Sequence, residues 1–162
     1  MKKIKLEQDF EMYESMQELN EEDRNLIQEA GKAAEHAYAP YSKFHVGAAV
    51  LLNNGIIIRG NNQENAAYPS GLCAERVALF AAGANYSGIG IKAIAITAYS
   101  ELKADHKQAV SPCGACRQVM SEYEHRYHQN IRLIMEAEDG KYIASSSISQ
   151  LLPYTFNADN IL

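Results

Sequence analysis

Residues 112–116 read Pro-Cys-Gly-Ala-Cys, and a third cysteine lies forty residues before Cys113, in the stretch Cys73-Ala74-Glu75-Arg76. Cysteines spaced like Cys113 and Cys116 can bind one ion together, and tetrahedral zinc suits such sulfur ligands. Three candidate ligands leave a fourth position open to water, which is typical of catalytic rather than structural zinc. The pattern therefore predicts one zinc ion held by Cys73, Cys113 and Cys116, with each cysteine stretch at the start of a helix.

The Cys-x-x-Cys spacing taken alone has other interpretations. The pair could be a thiol redox centre of the thioredoxin kind, or two cysteines of the hydrophobic core. A redox pair leaves Cys73 and its neighbours without a role. His125 and His128 have the i, i+3 spacing of one helix face, but their polar surroundings are typical of a solvated surface.

Composition limits the classes of partner that the chain can bind. The net charge of −5 comes entirely from residues 1–35, which hold ten acidic and five basic side chains, because residues 36–162 hold ten of each. A neutral body lacks the positive surface that polynucleotide binding usually needs. No apolar run is long enough to span a bilayer, and no apolar stretch follows Lys2 and Lys3 as a signal peptide would require. We expect a cytoplasmic protein with no nucleic-acid or membrane partner.

The spacing of apolar residues predicts one α/β domain over residues 21–162. Asn20 is a suitable N-cap for an amphipathic helix over residues 21–37, and Asn54-Gly55 predicts a type I′ hairpin. Residues 1–20 form an N-terminal extension that we expect to be helical. The predicted order is αββαβαββα, a mixed five-stranded sheet with helices on its faces. The expected strands are 44–52, 56–60, 92–98, 131–135 and 141–144, and the later helices begin near residues 73, 112 and 148.

Several separated motifs resemble the cytidine deaminase family, and the likeness covers residues 21–160. The strongest of them is the paired signature Cys-x-Glu followed later by Pro-Cys-x-x-Cys. The other similar segments are residues 38–44, 46–49, 62–68 and 151–153 with Phe156. A cysteine as first ligand resembles the small, homotetrameric branch that acts on free pyrimidine nucleosides. The resemblance implies a three-layer α-β-α sandwich with one Zn²⁺ per subunit.

The resemblance also implies roles for the residues of the site. Glu75 would move protons during catalysis, and because it lies two positions after Cys73 on a helix, we expect it beside the metal rather than on it. Among the implied substrate contacts, Phe44 packs against the base, and Asn62 and Glu64 bind the ribose. The Ala74 N–H and the Ser111 carbonyl hold the pyrimidine edge. Tyr68 and Phe156 reach the pocket of a neighbouring subunit.

Three thiolates around Zn²⁺ sum to a charge of −1, which weakens its Lewis acidity. A nearby cation would compensate, with Arg76 as the first candidate and Arg117 as the second.

The expected reaction is hydrolytic deamination of cytidine and deoxycytidine, a step of pyrimidine salvage, and the sequence does not decide between the two sugars. A blasticidin-S-type deaminase shares the Cys-x-Glu pattern and is the alternative. A deoxycytidylate deaminase usually has histidine where Cys73 stands, and a neutral body disfavours a polynucleotide-editing enzyme. Outside the enzyme class, a zinc-stabilised or thiol-redox module is the competing interpretation.

Overall fold

The fold was analysed in a computed structural model that describes residues 1–102 and 110–161. Within those residues, strands and α-helices alternate along most of the chain. In chain order they are β1 (Glu11–Tyr13), α1 (Glu21–Ala34), β2 (Phe44–Leu52), β3 (Ile57–Asn61), α2 (Ala74–Asn85), β4 (Ile91–Ser100), α3 (Gly114–Tyr127), β5 (Arg132–Glu136) and β6 (Tyr142–Ser145).

The strands form one mixed sheet in the order β1-β6-β5-β4-β2-β3. The β4–β5 pair is parallel and the other neighbours are antiparallel. One face packs on α1 through a core that includes Leu26 and Ile134, and the other face packs on α2 and α3 through a core that includes Leu79 and Met120. The predicted α/β fold, with helices on both faces of a mixed sheet, is confirmed. Among the described residues, no helix is long and apolar enough to cross a membrane.

The N-terminal extension differs from the expectation. The sequence predicts five strands and a helical extension, but the sheet has six strands, and the sixth is β1, which pairs antiparallel with β6 at its edge. The helical content of residues 1–20 is one 3₁₀ turn, Met16–Glu18. The strand forms because Glu11 and Tyr13 lie on one strand face, where both contact the Arg132 guanidinium of β5.

The end of α1 and the β2–β3 turn also differ from the prediction. The Asn20 side chain caps α1 as expected, by accepting from Asp23 N–H at 2.8 Å, but the helix ends at Ala34 rather than at residue 37. A type I′ turn needs a positive φ at both central residues. In the β2–β3 hairpin, Gly55 has a φ of +84° but the φ of Asn54 is not positive, so the turn is not type I′. Leu52 N–H donates to Ile56 C=O across a three-residue loop, and the glycine supplies its left-handed position.

The start of α3 and the length of the last predicted helix also differ from the prediction. Pro112 lies just before α3, which begins at Gly114. The helix expected near residue 148 is a single 3₁₀ turn, Ile148–Gln150.

Two glycines let helices approach the sheet closely. At Gly47 on β2, a β-carbon would overlap the α1 backbone at Ala30 and Ala34. At Gly60 on β3, a β-carbon would lie 2.6 Å from the Ala74 carbonyl oxygen, at the first residue of α2. Contact this close fixes the start of α2, and with it Cys73 and Glu75, against the sheet.

Candidate active site

Two helix N-termini bring the three cysteines together. Cys73 is the N-cap residue of α2 and Cys113 is the N-cap residue of α3, while Cys116 lies in the first turn of α3. The partial positive charge at a helix N-terminus stabilises a thiolate. The predicted placement of both cysteine stretches at helix starts is confirmed.

The distances between the sulfur atoms fit one zinc ion. The Cys73 and Cys113 sulfurs are 3.8 Å apart, and those of Cys113 and Cys116 are 3.4 Å apart. Sulfurs bound tetrahedrally at about 2.3 Å from zinc lie about 3.8 Å from one another. All three sulfurs lie within 4.8 Å of each other, and no other residue belongs to this group in the described part of the chain. The donor set is therefore three thiols, which leaves one tetrahedral position for a ligand from outside the chain.

The thiols differ in their tendency to lose a proton. The pKa of Cys73 is lowered to about 5, chiefly because Cys116 donates a hydrogen bond to its sulfur, and Arg76 Nη2 adds a donor at 3.5 Å. The same hydrogen bond, together with burial, raises the pKa of Cys116. A thiolate is the form that binds a metal, and of these two thiols Cys73 loses its proton more readily. The structure thus places Arg76 where a compensating cation is expected.

Glu75 is buried beside the thiols, with 5% of its surface exposed. Burial raises the pKa of its carboxyl group, and the nearby charge of Cys73 raises it further. A carboxyl group in this setting can hold a proton nearer neutral pH than an exposed glutamate does. Such a group is suited to accept and return protons.

An open cavity of about 680 Å³ ends at this cluster. Its walls include most of the residues that the sequence assigns to the substrate and the metal. Those residues are Phe44, Asn62, Glu64, Tyr68, Cys73, Ala74, Glu75, Arg76, Ser111 and Cys113. Cys116 lies behind the wall and is fully buried.

Asn62 fixes the strand that carries Phe44. Its Nδ2 donates to the Phe44 carbonyl oxygen at 2.9 Å, and its Oδ1 accepts from Val46 N–H at 2.8 Å. These bonds continue the β2–β3 ladder beyond Asn61 and hold Phe44 at the cavity wall, where 38% of the residue is exposed. The ribose contact expected of Asn62 stays a prediction.

Glu64 is tied to the loop that precedes β2. Its Oε2 accepts from the backbone N–H groups of Tyr41 and Ser42, at 2.9 and 3.2 Å. A hydrogen bond from the Ser42 side chain lowers the pKa of the Glu64 carboxyl, with help from those backbone donors. Glu64 lines the cavity, and these donors favour the charged form of its carboxyl group.

Sequence reasoning did not assign Tyr41 and Ser42 to the site, although both lie in the quoted segment 38–44. The Tyr41 ring meets the Tyr68 ring edge-on at 6.5 Å, and the two residues form the cavity rim. Ser42 Oγ accepts from Phe44 N–H at 3.0 Å. The signal available was their position directly before Phe44.

Arg117 and Phe156 lie outside the cavity. The role of Arg117 as second candidate for balancing thiolate charge stays a prediction. Arg117 donates to the Pro112 carbonyl at 2.8 Å, the Leu151 carbonyl at 3.0 Å and Ser111 Oγ at 2.8 Å, and these three hydrogen bonds do not go to a cysteine sulfur. The guanidinium instead holds the loop before α3 against the C-terminal segment.

Phe156 is 59% exposed, and its carbonyl accepts from Gln118 Nε2 at 2.7 Å. Its expected contact with a neighbouring subunit stays a prediction, as does that of Tyr68, which is 79% exposed at the rim of its own chain's cavity.

A sequence model described as the cytidine and deoxycytidylate deaminase zinc-binding region matches residues 20–129. The chain belongs to the cytidine and deoxycytidylate deaminase family. Among curated relatives, the cytidine deaminase of Halalkalibacterium halodurans is 44% identical over 136 residues, which cover 84% of this chain and 95% of that protein. The cytidine deaminase of Sporosarcina psychrophila is 41% identical over 137 residues, covering 84% of this chain and 92% of that protein.

Solved structures of the deaminase family share the fold. The cytidine deaminase of Burkholderia pseudomallei matches with a TM-score of 0.70 and 38% identity, covering 85% of this chain and all of that one. The cytidine deaminase of Mycobacterium tuberculosis matches with a TM-score of 0.62 and 29% identity, covering 82% and 94% of the two chains. The family match begins at residue 20, so the extension with β1 lies before it.

Proposed function

We propose that the chain hydrolyses cytidine and deoxycytidine to uridine and deoxyuridine with release of ammonia. The observation that carries the proposal is the meeting of three thiols and a buried glutamate at the end of one open cavity. Hydrolysis of an amidine C–N bond needs a site for one metal ion beside a buried group that can carry protons. The relatives named cytidine deaminase support the choice of substrate.

Cys73, Cys113 and Cys116 would hold the metal, since their sulfur distances fit one zinc ion. Zinc bound there would supply Lewis acidity that lowers the pKa of a water molecule at its open position. Arg76, 3.5 Å from the Cys73 sulfur, offsets part of the negative charge of the thiolates. The arrangement needs one ion per chain.

Glu75 carries the protons in this proposal. Its carboxylate takes one proton from the attacking water and gives one to N3 of the base while oxygen bonds to C4. The second proton of the water then passes through Glu75 to the amino group, the C4–N bond breaks, and ammonia leaves. Cytidine and water are thereby converted to uridine and ammonia, and Glu75 ends as it began.

The cavity walls orient the nucleoside. The Phe44 ring would lie against the base, while the Ala74 N–H and the Ser111 carbonyl would bind the pyrimidine edge. Glu64 would accept from a ribose hydroxyl, and Asn62 would both brace β2 and contact the sugar. The support for these roles is that all five residues line the same cavity.

Free nucleosides fit the cavity charges better than nucleotides do. Apart from the cysteines, the charged residue types among the described residues that line it are Glu64, Glu75 and Arg76, and Arg76 is directed at Cys73. A 5′-phosphate beside the ribose-binding side would therefore meet the Glu64 carboxylate. This charge pattern favours cytidine and deoxycytidine over deoxycytidylate.

We also propose that the working form is a cytoplasmic homotetramer that serves pyrimidine salvage, with residues 21–162 as its deaminase domain. The exposure of Tyr68 and Phe156 is consistent with a role for both rings at subunit contacts. The start of the family match at residue 20 supports the domain boundary.

A substrate panel tests the proposed reaction. Purified zinc-loaded protein is incubated with cytidine, deoxycytidine, deoxycytidylate and blasticidin S, and ammonia release is followed. Release from the two free nucleosides is the expected result. Release from deoxycytidylate or blasticidin S alone would overturn the substrate assignment, and no release from any of the four would overturn the reaction.

A further inference from the structure

The N-terminal segment, residues 1–10, has the alternation of a β-strand that continues into β1. Every second residue from position 3 is charged, and the residues between them are apolar except for Gln8. Period-two alternation of this kind is typical of a strand with two different faces. The charged positions are Lys3, Lys5, Glu7, Asp9 and Glu11, and the apolar positions are Ile4, Leu6, Phe10 and Met12.

In the structure only residues 11–13 of this pattern form a strand. Residues 1–10 are exposed and lie outside regular secondary structure. The apolar row is therefore left in solvent, with exposed fractions of 71% for Ile4, 53% for Leu6, 46% for Phe10 and 63% for Met12. A contiguous row of exposed apolar side chains beside an edge strand is typical of a site where another protein chain binds.

Two contacts of the segment would be exchanged on pairing with another chain: Asp9 N–H donates to Gln150 Oε1 at 3.1 Å, and Lys5 pairs with Glu7 of its own chain at 2.6 Å. The edge of the neighbouring strand β1 is open. β1 is the last strand of the sheet, and β6 pairs with one of its edges. Within residues 1–102 and 110–161, no strand pairs with the other edge. An unpaired edge presents N–H and C=O groups that can pair with a strand from another molecule.

The order of charges identifies the partner strand. If two copies of the segment pair antiparallel about Leu6, Lys3 of each copy faces Asp9 of the other, and Lys5 faces Glu7. Every facing charged pair is then of opposite sign. A shift by two residues would place Glu7 opposite its own copy, and a parallel in-register pair would place like charges in adjacent positions throughout.

We propose that residues 3–9 pair antiparallel with the same residues of a second copy of this chain, with Leu6 on the two-fold axis. The pairing leaves Glu11 bound to Arg132 of its own chain, where Nη2 lies 2.7 Å from Glu11 Oε2. Residues 3–9 are not among the residues that line the cavity, and the adjoining strand β1 lies at the opposite end of the sheet from β3. The pairing therefore stands apart from the proposed deaminase function.

Cross-linking through Leu6→Cys tests the register in the zinc-loaded full chain. The proposed pairing brings the two introduced thiols together, so oxidised glutathione should convert the variant to a covalent dimer. In this background, Lys3→Glu with Lys5→Glu should slow the cross-link at least tenfold, and so should Glu7→Lys with Asp9→Lys, because each set puts like charges opposite each other. Equal cross-linking rates in all three chains would overturn the proposal.

Co-expression of the two charge sets gives the sharper outcome. The charges of the two variants complement each other, so most disulfides should join one variant to the other. The fraction of such mixed dimers should be well above the half that random pairing gives. A statistical mixture of cross-linked species would overturn the pairing. Lys2→Glu is the matched control, because it changes the charge of the same segment on its other face; if it slows cross-linking as much as the paired changes, net charge rather than register is responsible and the proposal fails.

Discussion

Replacing Arg132 by methionine should destabilise the fold by isolating a buried carboxylate. Arg132 Nε donates to Asp23 Oδ2 at 3.0 Å, and Nη2 reaches Glu11 Oε2 at 2.7 Å and the Tyr13 hydroxyl at 3.0 Å. Asp23 is only 1% exposed. After the substitution, Asn20 Nδ2 at 2.9 Å would still donate to that carboxylate, but no charge would balance it there.

The magnitude follows from the burial of the pair. Removing one partner of a buried ion pair costs about 3–5 kcal/mol, because the other charge stays buried. The Arg132 side chain is 25% exposed and Asn20 still donates, so we expect the lower end, about 3 kcal/mol. With about 2.1 cal/mol/K of unfolding entropy per residue, 162 residues give about 0.34 kcal/mol/K, and Tm should fall by about 9 °C.

Calorimetry at pH 7 measures this shift, with Arg126→Met on the exposed side of α3 as the control. Acidification adds a second readout. Arg132 and Tyr13 hydrogen bonds lower the pKa of Glu11, so its contribution to stability is present above its ordinary value of 4.5 and is lost as pH falls through the lowered value. The difference in Tm between wild type and Arg132→Met should therefore narrow below pH 4.5. A fall in Tm no larger than that of Arg126→Met would refute the reasoning.

Three further substitutions test the site and its support. Arg76→Gln should lower kcat about tenfold to a hundredfold with zinc still bound, because a hydrogen bond to a charged group contributes about 1.5–3 kcal/mol; a wild-type kcat at full zinc content would contradict the charge-balance role. Arg117→Met should raise KM more than it lowers kcat, since Arg117 holds the Ser111 loop at the cavity wall; steady-state kinetics with an unchanged KM would count against that. Gly60→Ala should cost about 1–3 kcal/mol in urea unfolding, because its β-carbon overlaps the start of α2; an unshifted midpoint would show that the contact can relax.

The chemistry of the site was predictable because it depends on residue types at fixed spacings. The three thiols and Glu75 lie where the two cysteine stretches place them, at the N-termini of two helices. The main helices and the sheet were predictable from the period of their apolar residues. Local signals of this kind sufficed wherever neighbouring residues in the chain decide the outcome.

The remainder depends on contacts between residues far apart in sequence. Arg117 lies in a cysteine motif, and that motif does not predict its hydrogen bond to Leu151, which is 34 residues away. The apolar spacing of residues 10–19 fits a helix face, but Glu11 and Arg132, which are 121 residues apart, select a strand. Asn54-Gly55 was expected to form a two-residue turn, and the β2–β3 register instead requires three residues. Tertiary pairing decided each of these cases over local preference.

The most direct test of the account compares wild type with Glu75→Gln on cytidine, with zinc content measured in the same samples. The account predicts that wild type releases ammonia and forms uridine. The variant should bind one zinc per chain and keep its fold, yet turn over about 10²–10⁴-fold more slowly, because glutamine cannot carry protons. Turnover of the zinc-loaded variant at the wild-type rate would contradict the central claim.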